Sequence, residues 1–187
     1  MTILPPEPPL SDGVVTLRPW GAEGDVDALV ESCNELAIAQ YLDLIPSPYT
    51  PADAKTYLDA CRQGWREGTS SNFAILVDER PVGSIGLRIV DPEHGVAEAG
   101  YWVRSEARGR GVASRALRLL SAWALRERSV ERLQLRAATV NPASQRVAEK
   151  AGFTREGVLR SAHYNARLDQ RVDWAMYSLL PGELPQS

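Results

Sequence analysis

The stretch AEAGYWVRSEARGRGVA, Ala97 to Ala113, decides the fold of this 187-residue chain. Its first part, Ala97 to Val103, reads as a strand. An arginine- and glycine-rich loop follows and opens a helix that runs to about Arg128 without a proline to break it. Glycines let a ligand approach the backbone closely, and a helix N-terminus presents unpaired N–H groups and the positive end of a dipole. We therefore expect the loop to hold an anion, most naturally the pyrophosphate of a nucleotide-like cofactor.

Two other interpretations of this loop stay open. A plain strand-to-helix connection also uses Gly and Arg. A dinucleotide fingerprint needs a third glycine, where this chain has Ser114, and an acidic residue at the end of a strand, whereas Glu131 precedes its strand. The sequence context favours the anion-binding loop over both.

Upstream of the loop, the pattern changes from strand to helix and back to strand. Val14 to Trp20 alternates in polarity and predicts a first strand. Apolar spacing predicts a helix over 24–34 and a short one that ends by Leu42. A third helix begins at Thr50, its N-cap, and ends at Gly68.

The remaining predicted elements are two helices and six strands, which lie before and after the loop. The helix from Val112 to Arg128 is a crossover, so the strands on either side of it run parallel. A last helix runs from Asn141 to Gly152. Six more strands are predicted, at Asn72–Val77, Val82–Val90, Ala97–Val103, Arg132–Thr139, Thr154–Tyr164 and Val172–Leu180. These elements predict an α+β fold in three layers, a mixed, mostly antiparallel sheet of six to seven strands with helices on both faces.

The bulk composition narrows the class of protein. We expect residues 1–12, with four prolines, to form a flexible arm, 13–181 one domain, and 182–187 a tail. A net charge of −3 argues against nucleic acid as a partner, and no apolar run is long enough to cross a membrane, so we expect a cytoplasmic protein. Cys33 and Cys61 fall on apolar helix positions and predict core packing. His94 and His163 are far apart, and no metal site is expected.

The loop sequence points to a family. Arg108-Gly109-Arg110-Gly111-Val112-Ala113 resembles the Q/R-x-x-G-x-G/A signature of the GCN5-related N-acetyltransferases (GNAT). The segments Glu98 to Val103, Asn141 to Ser144 and Glu149 to Phe153 resemble the RimJ/RimL-like branch, which acetylates ribosomal-protein N-termini. The resemblance covers about residues 13–181. It implies a GNAT fold and transfer of an acetyl group from acetyl-CoA to a primary amine, foremost a protein N-terminal α-amine, by direct attack in a ternary complex.

The same resemblance implies where acetyl-CoA binds. The backbone N–H groups of residues 108–114 would bind the pyrophosphate, and the pantetheine arm would lie as an extra strand where two sheet strands splay apart. Asn141 would contact that arm and Ser144 would protonate the leaving thiolate, although both also suit capping of their helix. The implied cofactor-binding residues are Trp102 and Val103, through their backbone, with Arg108, Gly109, Arg110, Gly111, Val112, Ala113, Ser114, Asn141 and Ser144.

The general base has two candidates. Acyl transfer to an amine requires the amine to lose a proton. Glu98 matches a glutamate that several family members use as the base. In the ribosomal-protein branch a glutamate further along is the proposed base, and His163 occupies that position here. Each has an ordinary alternative, because His163 can line the pocket and Glu98 can orient a neighbouring Tyr or Arg.

The sequence says least about the identity of the amine acceptor. We expect its pocket between the N-terminal helices and the last hairpin, with Tyr41, Tyr164 and Asn165 as polar-aromatic candidates, whereas Trp65 fits the core better. A small-molecule amine such as an aminoglycoside or polyamine, another acyl group such as succinyl, and a non-catalytic acyl-CoA sensor remain alternatives. The chain is expected to be a monomer or a homodimer.

Overall fold

The structure, a computed structural model, describes residues 4–42 and 45–184. Two single-turn 3₁₀ helices, Ser105–Ala107 and Pro181–Glu183, accompany the regular elements. In chain order these are β1 (Leu10–Ser11), β2 (Thr16–Pro19), α1 (Asp25–Cys33), α2 (Leu36–Ala39), α3 (Pro51–Glu67), β3 (Ser70–Val77), β4 (Arg80–Asp91), β5 (Val96–Val103), α4 (Val112–Glu127), β6 (Arg132–Ala138), α5 (Pro142–Lys150), β7 (Thr154–Asn165) and β8 (Gln170–Leu179).

The strands form one open sheet in the order β1-β2-β3-β4-β5-β6-β8-β7. Neighbours are antiparallel except β5 and β6, which run parallel on either side of the crossover helix α4. The mixed, mostly antiparallel α+β fold is therefore confirmed. The described residues contain eight strands rather than six to seven, because Leu10–Ser11, inside the stretch expected to be an arm, pairs with β2. Two residues carry no periodicity that a sequence pattern could reveal.

Helices cover both faces of the sheet because successive strand residues point to opposite sides. In β3, Phe73 and Ile75 join one apolar cluster with α4 and α5, while Ala74 and Leu76 join a second with α1 and α3. Trp65 is buried against Phe73 and Trp123, with ring centroids 5.2 and 5.9 Å away, so its assignment to the core is confirmed.

The helix ends follow the predicted chemistry. The Thr50 hydroxyl accepts a hydrogen bond from the Asp53 amide, and the Asp53 carboxylate accepts one from the Thr50 amide at 2.8 Å. The Asn141 side chain accepts a hydrogen bond from the Ser144 amide at 3.2 Å and caps α5. Cys33 and Cys61 are buried free thiols, and burial raises the pKa of each to about 11.

Candidate active site

The parallel pair β5–β6 opens into a gap in the middle of the sheet. Pairing extends from Val96 with Arg132 to Ala99 with Leu135 and stops there. Beyond that point β5 stays bonded to β4 as far as Val103, and β6 stays bonded to β8 as far as Ala138. The two strands therefore diverge, as the resemblance implies, and leave room for an extended ligand between them.

The phase of the β4–β5 ladder decides which backbone groups face the gap. The Arg104 amide donates to the Val82 carbonyl at 2.9 Å. Because hydrogen-bonded and non-hydrogen-bonded pairs alternate in an antiparallel ladder, the backbone groups of Trp102 are directed to β4 and those of Tyr101 and Val103 are directed to the gap. The expectation for Val103 fits this geometry. The expectation for Trp102 needs correction, since ladder phase depends on a partner strand that the local sequence does not specify.

The glycine-rich loop forms a cradle of backbone amides at the N-terminus of α4. Gly109 and Gly111 have φ values of 76° and 78°, in the left-handed region that favours glycine, and no side chain caps the helix. The Arg108 amide donates to Ser105 and the Arg115 amide to Gly111. Between them, the six amides of residues 109–114 have no acceptor in the described part of the chain. They fit an anion such as a pyrophosphate.

Two side chains of this loop have roles within the protein. The Arg108 guanidinium donates to the Val103 carbonyl at 2.9 Å and to the Ala37 carbonyl at 3.1 Å, so it fastens the loop to β5 and α2. The Ser114 hydroxyl donates to the Gly111 carbonyl at 3.0 Å. Their backbone amides stay available to a ligand, while their side chains hold the loop in place.

Across the gap, α5 meets β5 through a pair of hydroxyl groups. The Tyr101 hydroxyl lies 2.9 Å from the Ser144 hydroxyl and donates to the Ser144 carbonyl at 3.2 Å. Burial raises the pKa of Tyr101 to about 12, so this hydroxyl stays protonated at neutral pH. The sequence singled out Ser144 but missed Tyr101. Strand alternation alone places Tyr101 on the face of Ala97 and Ala99, but does not say what it touches.

The opposite face of β5 carries Glu98, which is held by three donors. Its Oε1 accepts from Arg136 at 2.5 Å and from Arg88 at 3.0 Å, and its Oε2 accepts from Gln134 at 3.1 Å. Burial alone would raise the pKa of Glu98, but the hydrogen bonds and charges of the two arginines and Gln134 outweigh it and lower the pKa. Glu98 lines a cleft of about 300 Å³ together with Asn72 and Gly100.

His163 lies on the same side of the sheet, at the end of a row of stacked groups. Its ring is nearly parallel to that of Trp174, at 22°, with centroids 5.2 Å apart. The Arg136 guanidinium carbon lies 4.0 Å from the Trp174 ring. Arg136 also binds Glu98. A continuous row of contacting side chains, Glu98, Arg136, Trp174 and His163, therefore connects the two candidate bases.

The last hairpin meets the segment after α2, where the acceptor pocket is expected. The Asn165 amide is buried and donates to the Gln40 carbonyl at 3.0 Å, and its oxygen accepts from the amides of Arg167 and Leu168. This amide therefore holds the hairpin turn. Tyr41 and Tyr164 are more exposed, and the hydroxyl of Tyr164 donates to Asp169, which raises the pKa of Tyr164.

A wider cleft of about 400 Å³ lies between α1 and the Ser105–Ala107 turn. Arg104 there bonds Glu31 at 2.5 and 3.0 Å, and the Ser105 amide donates to Glu35 at 2.9 Å. These bonds connect the N-terminal helices to the segment that leads into the glycine-rich loop.

Over residues 4–42 and 45–184, no helix is long and apolar enough to span a membrane. The same ranges hold no cluster of His, Cys, Asp and Glu side chains suited to a metal ion.

Comparisons with known proteins agree with this geometry. An N-acetyltransferase of Bacillus licheniformis, p20, described as uncharacterized, is 27% identical over 172 residues, 90% of this chain and 94% of that protein. The ribosomal-protein-serine acetyltransferase of Escherichia coli K12 is 29% identical over 99 residues, 53% of this chain and 55% of that protein. The structure of Mycobacterium smegmatis RimJ in complex with CoA-disulfide superposes with a TM-score of 0.81 at 25% identity and covers 94% of this chain and 86% of that chain.

The family model of the GNAT acetyltransferase domain matches residues 15–154. That range contains the strand, the amide-lined loop and the helix from which the sequence analysis began, together with the gap beside them. The chain therefore belongs to the GNAT acetyltransferase family and is an acyl-CoA-dependent N-acetyltransferase.

Proposed function

We propose that this enzyme acetylates the N-terminal α-amine of a protein by direct attack in a ternary complex. The observation that carries the proposal is the gap between β5 and β6, which ends beside the amide cradle of residues 109–114. Both features belong to one ligand path. An extended chain with amide groups fits the gap, and a pyrophosphate fits the cradle.

Within this path each residue has a defined task. The amides of residues 109–114 hold the pyrophosphate, and the backbone groups of Tyr101 and the amide of Val103 pair with the pantetheine arm. Asn141, at the start of α5, contacts the same arm. The bound acetyl-CoA supplies the thioester that the amine attacks. The Ser144 hydroxyl, supported by the Tyr101 hydroxyl at 2.9 Å, gives a proton to the departing thiolate.

His163 is the proposed general base. A neutral imidazole ring has one nitrogen that accepts a proton, which suits a general base. Glu98 is a poorer base because its oxygens accept three hydrogen bonds and its pKa is lowered. Its role is to orient Arg136, the ordinary alternative recognised from the sequence.

The acceptor class is inferred from chemistry and from a relative. A protein α-amine has an ordinary pKa near 8, against about 10.4 for lysine, so a larger fraction of it is neutral at pH 7. The E. coli relative is named a ribosomal-protein-serine acetyltransferase, which makes an N-terminal serine the first acceptor to try. Tyr41 and Tyr164 are the proposed acceptor-side contacts.

A panel of acceptors tests the function. Thiol release from acetyl-CoA is measured with octapeptides that begin with Ser, Ala or Met, with spermidine and with kanamycin. The control is the serine peptide with a blocked N-terminus and an internal lysine. We expect fast release with a free N-terminus and none with the control. Faster release with spermidine or kanamycin would establish a small-molecule acceptor, and no release above hydrolysis with any of the three peptides would refute an N-terminal acceptor.

Calorimetry tests the cofactor cradle separately. Gly111→Ala strains the left-handed backbone by about 1–2 kcal/mol. The free loop is expected to relax out of the cradle geometry, and because binding must restore that geometry, acetyl-CoA should bind roughly tenfold more weakly. Gly182→Ala is the matched control, because a Cβ there meets nothing within 4 Å and the backbone is not left-handed. Unchanged affinity in Gly111→Ala would place the pyrophosphate elsewhere.

A further inference from the structure

We propose that Arg136 and Trp174 are positioning residues that set the orientation of the His163 ring toward the acceptor. The inference rests on the proposed function, in which His163 is the base. It goes further by identifying two side chains that hold the ring of that base in place. It also gives a role to the hydrogen bond between Arg136 and the Glu98 carboxylate.

The first step is the anchoring of Arg136 at the gap. Arg136 follows Leu135, the last β6 residue paired with β5, so its side chain extends where the two strands separate. The Arg136 guanidinium donates one hydrogen bond to the Glu98 carboxylate at 2.5 Å, and the Glu98 side chain is 13% exposed. This single hydrogen bond restrains the guanidinium, and its planar form then allows it to stack on an aromatic ring, which an ammonium group cannot do in the same way.

The second step is the stacking of Arg136 on Trp174. The guanidinium carbon lies 4.0 Å from the indole ring, well within the range of a cation–π contact. Trp174 lies on β8 opposite Ala138, two residues beyond Arg136 on β6, so the contact is a diagonal cross-strand pair on one face. The indole is thereby held on the side facing β6.

The third step is the placement of His163 on the other side of that indole. The two rings are 5.2 Å apart and nearly parallel. Leu159 pairs with Trp174 and His163 with Val172, so β7 advances by four residues while β8 advances by two. This bulge contains Ser161 at a φ of 52°, and the Ser161 amide donates to Asp173 at 2.6 Å. Bulges of this kind redirect a side chain, and they occur often beside active sites.

A spectroscopic experiment tests the stack without turnover. The chain has only two histidines, so His94→Gln assigns the ring signals of His163 in a histidine-labelled protein. Stacked beneath an indole, those signals are shifted upfield by the ring current. We expect the shift to vanish in Trp174→Leu, to persist largely in Trp174→Phe and to shrink in Arg136→Met. Arg132→Met is the matched control, because Arg132 lies on the same strand and pairs with Glu156 outside the row; its spectrum should match the wild type.

Kinetics with acetyl-CoA and the serine octapeptide test the positioning role. Trp174→Leu and Arg136→Met should each lower kcat about tenfold and leave the KM for acetyl-CoA within about twofold, because the loss is one of orientation. Trp174→Phe should restore most of the rate. In a His163→Ala background Trp174→Leu should cost nothing more, because coupled residues are not additive.

The outcomes separate the two hypotheses. His163 signals that do not move in Trp174→Leu, or losses that multiply in the double variant, would overturn the positioning inference. A full rate in His163→Ala alone would overturn the assignment of the base in the proposed function, while the ring-current shift would still decide whether Arg136 and Trp174 orient the His163 ring.

Discussion

Glu98 and His163 illustrate how neighbouring residues decide the use of a titratable group. The carboxylate of Glu98 is surrounded by donors that lower its pKa, so it is ionised but weakly basic. The ring of His163 stacks on the indole of Trp174. The same sheet face therefore carries one carboxylate held by hydrogen bonds and one stacked imidazole ring.

This contrast predicts an order of effects. His163→Ala should lower kcat about 100-fold at pH 7, within the usual range for loss of a general base. Glu98→Gln should lower it less, because it leaves the imidazole in place and only weakens the hold on Arg136. Steady-state rates with the serine octapeptide provide the measurement. The reverse order would move the base to Glu98.

Glu156 gives a prediction about acid stability. Its carboxylate binds Arg132 at 2.5 and 2.8 Å and the Ser178 hydroxyl at 2.7 Å, which lowers its pKa from 4.5 to about 2. A pKa lowered by folding stabilises the folded state above the unfolded value, and that stabilisation is lost as the pH falls from 4.5 toward 2.

We therefore expect Glu156→Gln to be less stable than the wild type at pH 7, with a difference that narrows at pH 3. Urea midpoints at the two pH values measure it. Glu127→Gln, a change at an exposed site in the last turn of α4, serves as the control. A difference that stayed constant with pH would show that the Arg132 pair does not act through this carboxylate.

Residue roles were predicted from the sequence where a local motif specifies them. Asn141 and Ser144 stand at a helix start that the motif identifies, and the structure places both there. Tyr101 and Trp102 were not separable, because the partner strand β4 determines which of them faces the gap. Likewise, the bonds of Asn165 to Gln40 join residues 125 positions apart, which no local pattern reveals.

Among the secondary-structure elements, the helix ends were predicted most accurately, because capping residues and turn residues mark them in the sequence. The helix α3 was predicted from Thr50 to Gly68 and spans Pro51–Glu67, because its capping chemistry is local. The strands β3 to β8 were found from their apolar runs. The strand β1 was missed because it has only two residues, and its place depends on long-range contacts such as the Asp12–Arg115 ion pair at 2.8 Å.

The capping box of α3 yields a stability prediction. Thr50→Ala removes the hydroxyl that accepts from the Asp53 amide and should cost about 1 kcal/mol of unfolding free energy. Thr56→Ala is the matched control, because its hydroxyl bonds the Ala52 carbonyl within the helix, and the change should be neutral or slightly stabilising. Urea unfolding measures both. Equal effects of the two variants would show that the cap does not limit the stability of α3.

Across the whole molecule, the short helix α2 connects the glycine-rich loop to the β7–β8 hairpin. Arg108 bonds the carbonyl of Ala37 on one side of the short helix α2, and Asn165 bonds the carbonyl of Gln40 on the other. A contact path thus runs from the loop through α2 to the hairpin turn. Both halves of the proposed site therefore contact α2 or the residue that follows it.

The gap between β5 and β6 predicts where ligand binding changes backbone protection. With acetyl-CoA bound, amide hydrogen exchange should slow at Tyr101, Val103 and residues 109–114, because these groups gain acceptors or lose solvent. Amides of β3, already paired on both sides, should change little. Mass-spectrometric exchange with and without acetyl-CoA measures this. Protection confined to other segments would contradict the proposed path.

The gap also links the lifetime of the protein to the supply of its cosubstrate. A ligand that binds only the folded chain stabilises it by about 2.7 kcal/mol at one hundred times its dissociation constant. Here that ligand would bridge β5 and β6 beyond Ala99 and Leu135, where the pairing between these two described strands ends. Cells rich in acetyl-CoA would therefore hold more of this enzyme folded and protected from proteases, whereas starvation for acetyl-CoA would lower its abundance as well as its turnover.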